Sequence, residues 1–598
     1  MTNQSDPITL ELLRNALDAL VDEMALTLVR TAYSSNLKNA MDLSAAVCDA
    51  DGQLIAQGLT LPLHLGSVPE FTRAVIAKFG GQMCDGDIYI TNDPYEGGSH
   101  LPDIYLCKPI FLKDAGNASV TDPVAFVVCI AHHTDIGGKT PGGNGCDATE
   151  LYQEGLCVPL LKLYDAGVAN QTIFDFIARN VRIPRQVLGD LRAELACLHV
   201  GEQGVQALFE KYGGGNFVDE ERNGSANESV NYFAELLDYA ERLARAEIAS
   251  LPDGVYRFTD YLDDDGIDPD SIPITVTVTV DNGQLTADFT GTAPQVKGGI
   301  NCPLSFTQSA TYACVRCLMN RDVPNNGGYF RPITVIAPEG TIVNPLPPGP
   351  VAARGLTGFR IANAVFGALA QAAPDRVPAC EIGGDTGVSI GGYERVERDG
   401  KTEMRGFVFL EFLYGSWGGR PNRDGIDGVA SSVVNFSNNP VEVLEAELPL
   451  RIERYDYLPD TGGAGTHRGG LSLVRDFRLL AEEATLQIRA DRTKYLPYGL
   501  HGGASGMPSQ NILNPDGEAH ELPPKPTLTI QRGDLFRHIA AGAGGWGNPF
   551  ERDPQRVRAD VLEEKVTLQS ARDAYGVIID PETLQVDEAA TRRMREGN

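Results

Sequence analysis

Apolar residues near the N-terminus recur at three- and four-residue steps: Ile8, Leu12, Leu13, Ala16, Leu20, Met24 and Leu28. That spacing lines one face of an α-helix. Asp6-Pro7 supplies an N-cap followed by proline at the first helical position. The period then changes. Residues 45–49 and 53–57 flank Ala50-Asp51-Gly52 and predict a β-hairpin. Residues 88–112 and 124–131 predict buried strands, the second running into His132-His133. From about 170 to 250 the pattern is helical, including 230–249 with its Glu/Arg pairs.

Beyond Pro252 the texture becomes strand-like. Residues 274–280 alternate threonine with β-branched apolar residues, Asp281-Asn282-Gly283 turns the chain, and 284–289 returns. Helices are expected over 306–319 and 361–373, the latter stopped by Pro374. The stretch 376–470 reads as glycine-rich and irregular, 470–540 as mostly strands, and 554–575 as a peripheral helix or pair. The expected fold class is mixed α/β (α+β) and multidomain, with a β-rich second half. The expected units are a helix-and-strand domain over 1–250, a hairpin-and-helix domain over 251–375 and a glycine-rich, β-rich region over 376–598.

Composition narrows the function classes. Against 50 Lys and Arg stand 80 Asp and Glu, a formal charge of −30. A nucleic-acid partner is therefore not expected, because phosphate-backbone affinity comes from clustered cations. The longest strongly apolar run, 124–131, is too short for a membrane span, which needs about 20 residues. The first residues lack the basic and apolar regions of a secretory signal, and 11 cysteines are scattered irregularly, so a cytoplasmic location with reduced thiols is expected. Glycine is abundant, with 65 residues and many doublets beside His, Asp and Asn.

The candidate chemistry lies in the first quarter. Asp42 is followed by GGSHLPD, with His100 and Asp103, and by HHTDIGG, with His132, His133 and Asp135. Imidazole and carboxylate together suit a borderline divalent ion such as Zn²⁺, Mn²⁺ or Fe²⁺. The first H-x-x-D lies on a glycine-proline loop, whereas the second follows an apolar strand that would hold a ligand rigidly. Adjacent residues of an extended chain point to opposite faces, so only one of His132 and His133 is expected to bind. Other motifs are weaker. Gly387–Gly391 fits G-x-S-x-G without the strand and helix of a nucleophile elbow. Gly542–Gly547 fits G-x-G-x-x-G, but Asn548-Pro549 follows where a helix should open. Cys314 and Cys317 have no second C-x-x-C, and no Walker-type phosphate loop occurs.

Taken together these motifs resemble the hydantoinase B family. The resemblance rests on D-L-S-A-A-V-C-D-A-D-G-Q-L-I-A-Q from Asp42, H-L-G-S from His64, N-D-P-Y-E-G-G-S-H-L-P-D from Asn92 and H-H-T-D-I-G-G from His132. It continues in N-V-R-I-P-R-Q-V-L-G-D-L from Asn180, I-N-C-P-L-S from Ile300, F-R-P-I from Phe330, G-A-G-G-W-G-N-P from Gly542 and D-A-Y-G-V from Asp573.

The resemblance implies the B subunit of an ATP-dependent cyclic amidohydrolase acting on a hydantoin, lactam or oxoproline-like ring. It implies a partner A subunit with an actin-like ATPase fold, which uses ATP and Mg²⁺ to phosphorylate the carbonyl oxygen, and a hetero-oligomer such as an α2β2 assembly. It also implies a divalent metal, Zn²⁺ or Mn²⁺, on Asp42, His100, Asp103 and His132. Asp135 and His133 are then candidates to take a proton or orient a ligand. The family's substrate region reads CEIGGDTGVSIGG and FLYGSWGG here, a departure that leaves the ring open. An ATP-dependent ketone carboxylase subunit and a non-catalytic scaffold for the ATPase are the alternative readings.

Overall fold

The computed structural model describes residues 6–111, 122–217, 231–319, 322–398 and 401–597. Its N-terminal part is a seven-stranded antiparallel sheet between helices. The strands are β1 (Leu43–Asp49), β2 (Leu54–Gln57), β3 (Ile88–Thr91), β4 (Asp103–Ile110), β5 (Ala125–His132), β6 (Leu161–Asp165) and β7 (Val168–Ala169), in the order β2-β1-β5-β4-β3-β6-β7. The helices are α1 (Pro7–Thr31), α2 (Ser67–Phe79), α3 (Gln171–Asn180) and α4 (Pro184–Tyr212).

The alternation of side chains divides the sheet between two cores. Leu43, Ala45, Val47, Ile104, Val127 and Cys129 pack with Leu13, Leu17 and Met24 of α1 and Leu191 and Leu198 of α4. Ala46, Cys48, Tyr105, Val128 and Ile130 pack with Val68, Phe71 and Val75 of α2. Helices α1 and α4 meet closely because Gly204 has no Cβ; one there would lie 2.1 Å from Leu20 Cδ1. The expected strand 88–112 is two strands. Between them Gly97, at φ 95°, turns the chain against Phe71 of α2.

Helix α5 (Tyr232–Ile248) leads into a second sheet of β8 (Gly254–Leu262), β9 (Ile272–Asp281), β10 (Gln284–Asp288) and β11 (Ile333–Ile336), with β10 and β11 parallel. Two helices cover it, α6 (Leu304–Cys317) and the almost wholly buried α7 (Arg354–Ala372). Helix α7 begins seven residues before the apolar pattern from 361 predicts. Its first turn follows the proline-rich 345–350 and carries Arg354, which apolar periodicity does not register.

The third part contains two further sheets. One, in the order β13-β12-β18-β21, uses β12 (Thr386–Arg398), β13 (Lys401–Leu413), β18 (Glu483–Arg489) and β21 (Thr527–Gln531). The other, β16-β17-β22-β19-β20, uses β16 (Leu450–Leu458), β17 (Ser472–Leu479), β19 (Gln510–Leu513), β20 (His520–Leu522) and β22 (Leu535–Ile539). Both sheets contribute to one core through Val388, Phe409, Leu486, Phe477 and Phe536. A short pair, β14 (Gly415–Ser416) and β15 (Asp427–Val429), forms its own two-stranded ladder. The expectation of irregular structure over 376–470 is therefore corrected: β12 and β13 pair along thirteen residues each. Glycines hide the alternation there because other groups press on the strand, Arg489 at Gly387 and Pro141 at Gly391.

The remaining glycines serve mainly to pack backbone on backbone. A Cβ at Gly542 would lie 1.8 Å from the Thr461 carbonyl oxygen, and one at Gly506 1.8 Å from that of Gly542. The N–H of Gly463 donates to Ala543 O at 2.8 Å and that of Gly545 to Ala504 O at 2.9 Å. Gly542–Gly547 is thus part of a packed bundle of glycine segments.

Candidate metal centre

Three strand ends converge at one edge of the first sheet. The register places Asp103, at the start of β4, opposite His132, at the end of β5, and Leu43 of β1 opposite Ala131. The peptide N–H of His132 donates to Asp42 O (3.1 Å), that of His133 to Pro102 O (2.8 Å), and Asn36 Nδ2 to His132 O (2.7 Å). Asp42, His100, Asp103 and His132 are therefore held by paired backbone, and all four are buried.

Asp103 Oδ1 lies 2.9 Å from both His100 Nε2 and His132 Nδ1, and those two nitrogens are 3.1 Å apart. Asp42 Oδ2 is 3.7 Å from His132 Nδ1. On the other side of Asp103, Oδ2 accepts from Ser99 Oγ at 2.6 Å and Arg354 Nη2 at 2.5 Å. His64 Nε2 lies 3.4 Å from the same oxygen, while its Nδ1 meets Ser44 Oγ at 3.0 Å. Sequence reasoning assigns no role to His64, although its H-L-G-S motif is a visible signal; Arg354 has no local signal.

The hydrogen positions follow from the partners. His100 Nδ1 lies 2.9 Å from the carbonyl oxygen of Ala352, which can only accept. The hydrogen of neutral His100 must therefore be on Nδ1, and Nε2 presents a lone pair to the cluster. Ala352 is itself fixed, because Glu154 Oε1 accepts from the N–H of Val351 (2.7 Å) and of Ala352 (2.8 Å). Burial, with the Arg354 charge, pushes His100 down to about 3, and burial also lowers His132. Burial alone would raise Asp103, but Arg354, then His100 and His132, hold it well below the usual carboxylate range. Asp42, buried and repelled by Asp103, is raised to about 7.

The donor atoms of His100, Asp103 and His132 all lie within 4.8 Å of one another. Tetrahedral N/O ligands at bond lengths of about 2.0 Å stand roughly 3.3 Å apart, so these residues fit one small divalent ion after shifts of a few tenths of an ångström. His132 Nδ1 is the ring nitrogen that faces His100 and Asp103, and its Nε2 is buried without a hydrogen-bond partner.

The other two candidates lie outside this cluster. His133 points to the opposite face of β5, where Nε2 meets Glu194 Oε1 of α4 at 2.7 Å. Burial opposes charge on that imidazole, yet Glu194, with Asp190 and Asp103, raises it. Asp135 accepts from Arg182 Nη1 (2.9 Å), Arg182 N (2.5 Å) and Gly142 N (3.2 Å), fastening two loops. Ser389 of the G-x-S-x-G match is buried within β12 and has no hydrogen-bond partner for its hydroxyl. A cavity of about 400 Å³ opens elsewhere, lined in part by Asn363, Glu381, Trp417 and Arg420. Among the described residues, no helix is long and apolar enough to cross a membrane.

Comparison with known proteins agrees with this architecture. Residues 6–549 match the Hydantoinase B/oxoprolinase family. The chain is 34% identical over 610 residues to the putative D-/L-hydantoinase B subunit of Pseudomonas sp. (strain NS671), covering 99% of this chain and 98% of that one. It is 33% identical to the β-subunit of caprolactamase from Pseudomonas jessenii, with both chains fully covered. The crystal structure of the ATP-dependent caprolactamase from Pseudomonas jessenii superposes with a TM-score of 0.87 and 31% identity, covering 99% of this chain and 100% of that one. Acetone carboxylase in its nucleotide-free structure shares the fold at a TM-score of 0.86 and 18% identity, covering 99% of this chain and 83% of that one. The chain belongs to the hydantoinase B/oxoprolinase family.

Proposed function

We propose that the chain is the B-type subunit of an ATP-dependent cyclic amidohydrolase, opening a hydantoin, lactam or related ring that a partner ATPase subunit has activated. The observation that carries this reading is the convergence of three potential ligand atoms, His100 Nε2, His132 Nδ1 and Asp103 Oδ1, at 2.9–3.1 Å. Ala352 forces one lone pair inward and Arg354 keeps the carboxylate ionised, which supports a cation at the cluster. His100, Asp103 and His132 would hold a divalent ion, Zn²⁺ or Mn²⁺, and Asp42 would complete the set. Such an ion supplies Lewis acidity, which brings the pKa of water toward 7.

An amide ring resists water because resonance weakens its carbonyl as an electrophile and its nitrogen as a leaving group. Phosphorylation of the carbonyl oxygen on the partner, driven by ATP and Mg²⁺, removes that protection. The chain's own residues then fix geometry. The Ala352 carbonyl orients His100, Arg354 holds Asp103, and the buried surround excludes bulk water. In this reading His133 and Asp135 are positioning residues, through Glu194 and Arg182.

The test combines the purified chain with the ATPase subunit, ATP, Mg²⁺ and a panel of cyclic amides, alongside metal analysis. Near-stoichiometric transition metal and bicarbonate-independent ring opening are expected. A requirement for bicarbonate would favour the carboxylase alternative, and full turnover by Asp103→Asn would favour the scaffold.

A further inference from the structure

Arg489 is the last residue of β18, and the register sets it opposite Gly387 of β12, which in turn stands opposite Phe412 of β13. Since Gly387 has no side chain, the arginine crosses its own neighbour strand. A Cβ at position 387 would lie 2.3 Å from Nε and Nη2. The guanidinium comes to rest with Cζ 5.0 Å from the centre of the Phe412 ring, and that ring is 6.2 Å from the His132 ring. Three strands thus cooperate to deliver one cation to the neighbourhood of the metal cluster.

Among the described residues no carboxylate lies within ion-pairing distance of the cation. Arg489 is 4% exposed, and its Nε and Nη2 are both buried with no hydrogen-bond partner. Arg360, Arg475, Arg492 and Arg552 are comparably buried, yet each lies within ion-pairing distance of a carboxylate. Among the described residues Arg489 has no such carboxylate. Burial, with repulsion from Arg354 opposed by Cys146 and Asp42, brings it down to about 10, still cationic at neutral pH. A buried, unpaired guanidinium is costly, and this one is kept in place by a glycine and an aromatic plate. Its forked N–H groups match two oxygens of a carboxylate or phosphoryl group.

We propose that Arg489 anchors an oxyanion, phosphoryl or carboxylate, borne by the molecule that reacts at the His100–Asp103–His132 cluster. The inference rests on the function proposed above for that cluster. It adds the way the reacting molecule is oriented: the anion meets the guanidinium held on Phe412, and the rest of the molecule points to the strand ends of β4 and β5.

The test uses the full metal-loaded chain, with inorganic phosphate and acetate as probes in calorimetric titrations. Wild type is compared with Arg489→Met and Arg489→Lys, and metal content is measured in each. At least about tenfold loss of affinity in Arg489→Met at unchanged metal content is expected, with partial recovery in Arg489→Lys. Preference for phosphate identifies a phosphoryl ligand, and preference for acetate a carboxylate. In anion-free buffer Arg489→Met should melt at or above the wild-type temperature, because it removes an unpaired buried charge. Unchanged affinity, no binding to wild type, or a lower melting temperature would each overturn the assignment. If Arg489→Met does not fold, unchanged phosphate and acetate affinity in Arg489→Lys has the same force. Absence of metal or of ring opening in wild type would instead refute the function proposed for the cluster.

Discussion

Asp103 and His132 are cross-strand partners on β4 and β5, and the carboxylate oxygen of one lies 2.9 Å from the ring nitrogen of the other. A third contact, from Arg354, makes Asp103 the shared member of a buried ion pair and of the candidate metal-binding set. The two roles predict different consequences for the two carboxylates. Asp103→Asn strips the partner from a buried guanidinium and should cost about 3–5 kcal/mol of stability even in chelator. Among the described residues Asp42 has no guanidinium within ion-pairing distance; His132 Nδ1 lies 3.7 Å from its Oδ2. Asp42→Asn should lose metal affinity while costing far less stability. Thermal unfolding with EDTA and metal analysis of both variants check this, and equal destabilisation would contradict it.

Glu154 acts at two removes. Its Oε1 receives two peptide N–H groups, one of them from Ala352, whose carbonyl orients His100. Glu154→Ala should leave the ligands intact but free that carbonyl to drift. Loss of metal affinity by about 10–100-fold is expected, the range found when outer partners of metal-binding histidines are removed. Competition with a chromogenic chelator measures it.

Gly387 and Arg489 should be energetically coupled. Gly387→Ala places a methyl 2.3 Å from the guanidinium and should destabilise the chain by about 1–3 kcal/mol through overpacking. In an Arg489→Ala background most of that penalty should vanish. A double-mutant cycle from urea unfolding reads the coupling, and additive effects would mean that the arginine lies elsewhere.

Much of the fold and part of the centre were legible in the sequence. Apolar steps from Ile8 to Leu28 mark α1, and the Thr/Val alternation over 274–280 marks β9, because burial on one face imposes those periods. The H-x-x-D motifs named Asp103 and His132, and the opposite faces of an extended chain separate His132 from His133. What could not be read depends on register and on long-range approach. Arg354 is 251 residues from Asp103, and Arg489 meets Phe412 only because β18, β12 and β13 align. Glycine misled in a physical way: in 376–470 it marks close packing against other groups, which a local pattern reads as loop.

His538 provides a pH test remote from the centre. It lies in β22, is 1% exposed and meets Asn511 Oδ1 through Nδ1 at 2.9 Å, while Nε2 has no partner. Burial pushes the imidazole from 6.5 down to about 3. The unfolded chain therefore binds a proton that the folded chain refuses between those values. Its contribution to stability is fully present above pH 6.5 and is lost as pH falls, at about 1.4 kcal/mol per pH unit. His538→Asn, which cannot titrate, should flatten the fall in stability between pH 6.5 and 5 relative to wild type. Urea unfolding at a series of pH values measures the two slopes. Equal slopes would mean that the buried imidazole gains a proton without unfolding, and that β22 admits charge at this position.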